Sequence, residues 1–192
     1  MNSVILIPAR YASTRYPGKP LVELKGAGGA AKPLIVRSVE AARRVRGVSG
    51  VFVVTDDERI ADACSRDSVG VIMTSPECRN GTERCAEALK SLHDPDLVIN
   101  FQGDALLTPP GFVEALKDRM RDDQGALVAT PAMRLRSAEV RALQAEAAAG
   151  RVGGTSVVID DQRHALYFSK RLIPHLPPGT LEQDMSPGWL HR

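Results

Sequence analysis

The sequence carries almost no net charge: 25 Lys and Arg face 23 Asp and Glu, leaving +2 over 192 residues. A balance this even excludes nucleic acid or a membrane surface as the main partner, because both require a basic excess. Basic chemistry must therefore be local. Cysteine is scarce too. Cys64, Cys78 and Cys85 form no CxxC pair, and an odd count without metal-ligand spacing fits reduced thiols in a cytoplasm. Cys64 and Cys85 fall at expected helix core positions, as small hydrophobes would. No apolar run reaches the length of a membrane span. The short run Val4–Ile7 lacks a preceding basic region and is soon followed by Arg10, unlike a secretory signal. Repeats and domain-separating linkers are also absent, so residues 1–192 read as a single domain.

What is present is alternation. Continuous apolar, partly β-branched runs predict strands at 3–9, 51–55, 69–73, 96–101 and 126–130. Helical patterns lie between and after them. One opens at Pro33 and runs to about Arg46, with Leu34, Ile35, Val39, Ala42 and Val45 on one side. Others follow Asp56 or Asp57, cover 80–92 behind a capping box of Asn80 and Glu83, and occupy 110–121 and 137–149, the last ending at Gly150. "TSVVID" and "HALYFS", divided by Asp161, Gln162 and Arg163, predict a C-terminal β-hairpin. Strand–helix alternation of this kind implies an α/β fold with a doubly wound, mostly parallel sheet.

Acid is missing from the N-terminus altogether: no Asp or Glu precedes Glu23. In that interval "IPARYASTRYPGKP" places Arg10, Arg15 and Lys19 among small residues, directly after the first strand. Ligands of open parallel sheets bind beyond the carboxyl ends of the strands. Small residues there let backbone N–H groups approach an anion, and the three cations, with the hydroxyls of Ser13 and Thr14, could cover the oxygens of a triphosphate. Neither GxxxxGK[ST] nor GxGxxG occurs at this place, which excludes a Walker-type or dinucleotide loop. A plain solvated loop is the alternative; its position and the lack of nearby acids favour the phosphate cradle.

"NFQGD" supplies a complement. Asp104 follows a strand ending on the same side, and a carboxylate facing a polyphosphate needs a cation between them. Mg²⁺ commonly uses one or two carboxylates plus phosphate oxygens. The alternative is a carboxylate that forms a turn or caps the next helix. Gly103 permits a close turn, and Gln102 offers a neutral amide. A third patch, "MTSPECRNGTER", sets Thr74, Ser75, Asn80, Gly81 and Thr82 at the end of the third strand, where uncharged groups could read a base.

Together these stretches resemble the 3-deoxy-manno-octulosonate cytidylyltransferase (CMP-Kdo synthetase) family. "IPARYASTRYPGKPL" is close to the family signature, and "VVTDD", "GTER", "NFQGD" and "ALYFSK" with the later Ile-Pro follow in family order. Sialate cytidylyltransferases share the opening loop, but "ALYFSK" and "GTER" favour the Kdo branch. The resemblance implies a nucleotide-diphospho-sugar transferase-like fold, and transfer of CMP from CTP to an acidic eight-carbon sugar, Kdo, for lipopolysaccharide biosynthesis. It also implies Mg²⁺, a cytoplasmic location and, for the full-length family, a homodimer. By motif match, Arg10, Ser13, Arg15 and Lys19 would hold the triphosphate. Pro8 and Ala9, with Thr74, Gly81 and Thr82, would frame the cytidine. Gln102 would face the sugar and Asp104 would bind the metal, with Arg10, Lys19 and Asp104 as the catalytic set.

Two departures accompany the likeness. Ala105 and Leu106 stand where many members have Glu-Pro after the Gln-Gly-Asp triplet. Members also run on into a block with a His-x-Gly-x-Tyr strand and a late acidic metal ligand, whereas this sequence stops at "WLHR". The expectation is one nucleotidyltransferase domain without that block. The alternative function is an impaired CTP-binding remnant or a scaffold subunit.

Overall fold

A computed structural model describes residues 1–12, 16–151 and 154–177. The expected triphosphate contacts Ser13 and Arg15 lie outside the described residues, as does the C-terminal Trp189–Arg192. The chain divides into two compact units, Met1–Ala129 and Thr130–Arg192.

In the first unit, β1 (Ser3–Pro8) is followed by a 3-10 turn over Lys19–Leu21 and a short antiparallel pair, β2 (Glu23–Lys25) with β3 (Ala31–Pro33). Next come α1 (Leu34–Ala42), β4 (Gly50–Thr55), α2 (Glu58–Arg66), β5 (Gly70–Met73), α3 (Gly81–Ala88), β6 (Leu97–Asn100) and α4 (Pro110–Asp122). β1, β4, β5 and β6 form a parallel sheet in the order β5-β4-β1-β6. β1 is interior to it, which explains its unbroken apolar run: Ile5, Leu6 and Ile7 are fully buried. Successive side chains alternate between faces. Ile5 and Ile7 pack with Ile35 and Val39 of α1 and Ile60 and Cys64 of α2, while Val4 and Leu6 pack with Cys85 and Ala88 of α3. Helices therefore cover both faces, as the alternation predicts. Each fully buried Ile or Leu contributes about 1.5–3 kcal/mol of transfer free energy.

The expected helix caps form with one variation. Asp57 accepts from the Arg59 N–H at the start of α2 (3.0 Å), and Asn80 accepts from the Glu83 N–H at the start of α3 (2.9 Å). The Glu83 carboxylate, however, takes the backbone N–H of Arg79. All three cysteines are free and buried, and burial pushes the Cys64 and Cys85 thiols up to about 11. Among the described residues no helix is long and apolar enough to cross a membrane.

The glycine-rich stretch 26–30 is the turn that joins β2 to β3, with Gly29 in the left-handed region (φ +80°) and Gly26 N–H donating to Ala30 O. One expectation needs correction. Residues 126–130 form no strand: Leu127 and Val128 are 91% and 82% exposed. β-branched and apolar residues favour strands only where an edge is available to pair with, and this run is paired with none of the described strands.

The second unit contains α5 (Ser137–Ala148), which ends just before Gly150 (φ +73°), and the antiparallel hairpin β7 (Ser156–Ile159) with β8 (Ala165–Ser169). Its small core joins Leu135 and Val140 to Leu143, Leu172 and Leu176. The Asp160 carboxylate closes the hairpin by accepting from the N–H groups of Gln162 and His164.

Candidate active site

The carboxyl ends of β1, β4, β5 and β6 share one edge of the sheet, and the loops beyond them carry the expected residues. Pro8 is where three of these loops meet. Gly81, at the start of α3, leaves only 3.0 Å between an added Cβ and Pro8 Cγ, and a Cβ on Gly103 would lie 3.1 Å from Pro8 O. A side chain at either position would force Pro8 or the loop to give way by a few tenths of an ångström. The fully buried Ser38 of α1 reinforces this closeness by donating its hydroxyl to Gly103 O at 2.6 Å. Ala9 continues the ladder past the strand, its N–H donating to Val54 O at 3.0 Å, and is buried.

The two described cations of the first loop diverge. Arg10 donates through Nη1 to Arg79 O (2.9 Å), in the loop between β5 and α3. Lys19 turns the other way, to Asp104 Oδ2, at 2.6 Å. Basic loop and acidic turn are thus directly opposed. Asp104 sits in a tight turn in which the Ala105 N–H donates to Gln102 O. It does not cap α4, whose N-cap residue is Pro109. Its carboxylate is 57% exposed, and the Lys19 side chain 47%. Gln102 donates to Asn100 Oδ1 (3.0 Å), and Asn100 Nδ2 lies 3.5 Å from Thr82 Oγ1. Gln102 and Thr82 are therefore linked through one intervening side chain.

Thr74 is engaged inside the protein. Its hydroxyl donates to Thr55 O (3.1 Å) and accepts from Arg84 Nη1 (2.5 Å). Arg84 was not among the residues singled out from sequence, yet it is fully buried beneath this edge. Its Nη2 approaches Asp56 Oδ2 to 3.1 Å, but Nη2 and Nε aim no N–H at any partner. The Asp56 contact is therefore a close charge pair without an aligned hydrogen bond. The signal for Arg84 was its position: it directly precedes Cys85 on the face of α3 that packs against the sheet. The loop before α3 is fixed by Glu87, which accepts from the Ser75 N–H and the Cys78 thiol. These bonds hold its carboxyl below the ordinary glutamate range.

The described residues contain no cluster of three or more His, Cys, Asp or Glu able to hold a metal. The exposed carboxylate of Asp104 is nonetheless a donor of the kind Mg²⁺ takes, one or two carboxylates serving while phosphate oxygens and water complete the shell. Ala105, the next residue, packs against the main core.

A family model described as cytidylyltransferase matches residues 4–182. The 3-deoxy-manno-octulosonate cytidylyltransferase of Maricaulis maris is 43% identical over 91% of this chain and 66% of its own length. The mitochondrial enzyme of that name from Arabidopsis thaliana is 38% identical over 97% of this chain and 59% of its own. That from Tolumonas auensis is 38% identical over 100% of this chain and 69% of its own. A solved CMP:2-keto-3-deoxy-manno-octonic acid synthetase complexed with CTP superposes with a TM-score of 0.82 at 36% identity, covering 100% of this chain and 70% of that one. The chain thus spans roughly three-fifths to two-thirds of the length of the first curated relatives it matches. With the fold, the shared edge and these likenesses together, the chain belongs to the cytidylyltransferase family, on the branch of the 3-deoxy-manno-octulosonate cytidylyltransferases.

Proposed function

We propose that the protein transfers CMP from CTP to 3-deoxy-manno-octulosonate, releasing pyrophosphate, in lipopolysaccharide biosynthesis. The observation that carries this is the direct opposition of Lys19 and Asp104 at 2.6 Å, on the sheet edge where Pro8, Gly81 and Gly103 converge. Arg10, Ser13, Arg15 and Lys19 hold the triphosphate. Pro8, Ala9, Gly81 and Thr82 frame the cytidine, with Thr74 shaping the pocket from behind. Gln102 faces the sugar. The anomeric hydroxyl attacks the α-phosphorus in line. A new oxygen–phosphorus bond forms, the bond to the bridging oxygen of the β-phosphate breaks, and pyrophosphate leaves with that oxygen while the hydroxyl proton passes to solvent. The chain's contribution is positioning and neutralisation of charge spread over the phosphates. Asp104 would hold Mg²⁺, which when bound neutralises phosphate charge and lowers the hydroxyl's pKa. A cytoplasmic homodimer belongs to the same proposal.

A coupled pyrophosphate-release assay tests it. With CTP, the sugar and Mg²⁺ the protein should release pyrophosphate and form a CMP-linked sugar, and omission of the sugar should stop both. Pyrophosphate release that ignores the sugar, or equal use of GTP, would contradict the assignment.

A further inference from the structure

Arg10 and Lys19 are separated by a loop whose two stems are tied at Tyr11, a residue that neither base, phosphate nor sugar contact accounts for. The Gly18 N–H donates to Tyr11 O at 2.9 Å, closing the loop at its neck. Gly18 lies in the left-handed region (φ +71°), and its missing side chain makes room for the Tyr11 ring: an added Cβ would stand 3.2–3.3 Å from Cε2, Cζ and the hydroxyl oxygen. The Arg59 guanidinium stacks on that ring, its carbon 3.3 Å from the centroid. Arg59 is in turn held by Asp57, with Nε to Oδ1 at 2.9 Å and Nη2 to Oδ2 at 2.6 Å. Asp57 is itself the N-cap of α2. The Arg59 side-chain bond keeps the Asp57 carboxyl below its ordinary range, so the fork is ionised at neutral pH.

A continuous series of contacts therefore runs from the rigid start of α2 through Asp57, Arg59 and Tyr11 to Gly18, the residue before Lys19. We propose that Tyr11 and Arg59 are positioning residues of the nucleotide site: they fix the directions in which Arg10 and Lys19 leave the neck of the loop and so preorganise the phosphate cradle. This rests on the proposed CTP site. The pair acts without touching substrate, by holding the Arg10 and Lys19 ends of the neck in place before the phosphates arrive. A guanidinium over an aromatic face is a modest interaction at an exposed site, so the expected effect is about two- to five-fold in affinity.

Tripolyphosphate isolates the cradle, and cytidine isolates the base pocket. In calorimetric titrations of the full chain, Arg59→Met and Tyr11→Leu should weaken tripolyphosphate and CTP by about two- to five-fold and leave cytidine unchanged. Tyr11→Phe, which keeps the ring, should retain tripolyphosphate binding. A general structural loss would lower cytidine and tripolyphosphate together, and that outcome overturns the proposal. So does wild-type tripolyphosphate affinity in Arg59→Met while the native chain binds CTP normally, and that result leaves the CTP site intact. A native chain binding neither CTP nor tripolyphosphate overturns both.

Discussion

Asp104→Asn should sharply slow metal-dependent cytidylyl transfer and leave the fold unchanged. Asn keeps the size of the side chain and removes the charge that a hard cation requires. A metal acting on a transferring phosphoryl group supplies several kcal/mol of charge stabilisation, so kcat should fall on the order of 10²–10³-fold. Stability should barely move. The carboxylate is 57% exposed and its Lys19 partner 47%, and exposed ion pairs contribute about 0–1 kcal/mol. The replacement also leaves the backbone of the Gln102–Ala105 turn in place. Turnover as a function of Mg²⁺ concentration, with thermal unfolding alongside, checks both halves. An unchanged metal dependence in Asp104→Asn would place the cation elsewhere.

Arg84→Met should produce the largest loss of stability. Arg84 is fully buried, and Asp56 is its partner at 3.1 Å, with 21% of its side chain exposed. Met has nearly the volume of the arginine stem, so little cavity opens. The loss is electrostatic: Asp56 keeps its charge without a cation, and Thr74 loses its donor. Breaking such a pair from one side costs about 3–5 kcal/mol. The lower end applies here, because water reaches part of Asp56. That is a large fraction of the ~5–15 kcal/mol that holds a domain together. Removing both charges should hurt less than removing one. Arg84 Nε and Nη2 already lack hydrogen-bond partners, so the intact pair is imperfectly satisfied. In urea unfolding, the Arg84→Met/Asp56→Ala double variant should therefore be more stable than the sum of the singles predicts. A loss below about 1 kcal/mol for Arg84→Met would mean that the buried guanidinium is not anchored as described.

These outcomes separate what could be read along the chain from what could not. β1 was legible because a strand interior to a parallel sheet must be apolar on both faces, and Val4 to Ile7 are. The helix beginning near Pro33 was legible from the spacing of Leu34, Ile35, Val39 and Ala42, all now buried. The loop after β1 could be assigned a role because no acid precedes Glu23 and the chain must pass the carboxyl edge of the sheet. Pairing was not legible. Residues 126–130 have strand composition but are paired with none of the described strands, and whether an edge is free is a tertiary fact. Nor could the direction of a side chain be read. Thr74 was expected to frame a base, and the sequence does not reveal that its hydroxyl bonds to Thr55 O and Arg84. Arg84 looked like one more charge on a helix, and only the packing of α3 shows that it faces inward. Tyr11 lay inside the most informative motif, yet its role was not legible there, because its partner Arg59 belongs to a separate element, the first turn of α2.

The central claim is that the loop after β1 and the turn after β6 bind one nucleotide between them. Calorimetric titration of CTP into the native chain and into Lys19→Ala, each with and without Mg²⁺, tests it most directly. A carboxylate already neutralised by Lys19 is a poor ligand for a lone cation, so Mg²⁺ alone should bind weakly and should tighten CTP in the native chain. A charge-assisted contact contributes about 1.5–3 kcal/mol, so Lys19→Ala should weaken CTP by about ten-fold or more. Equal CTP affinity in the two proteins, with or without Mg²⁺, would contradict the account.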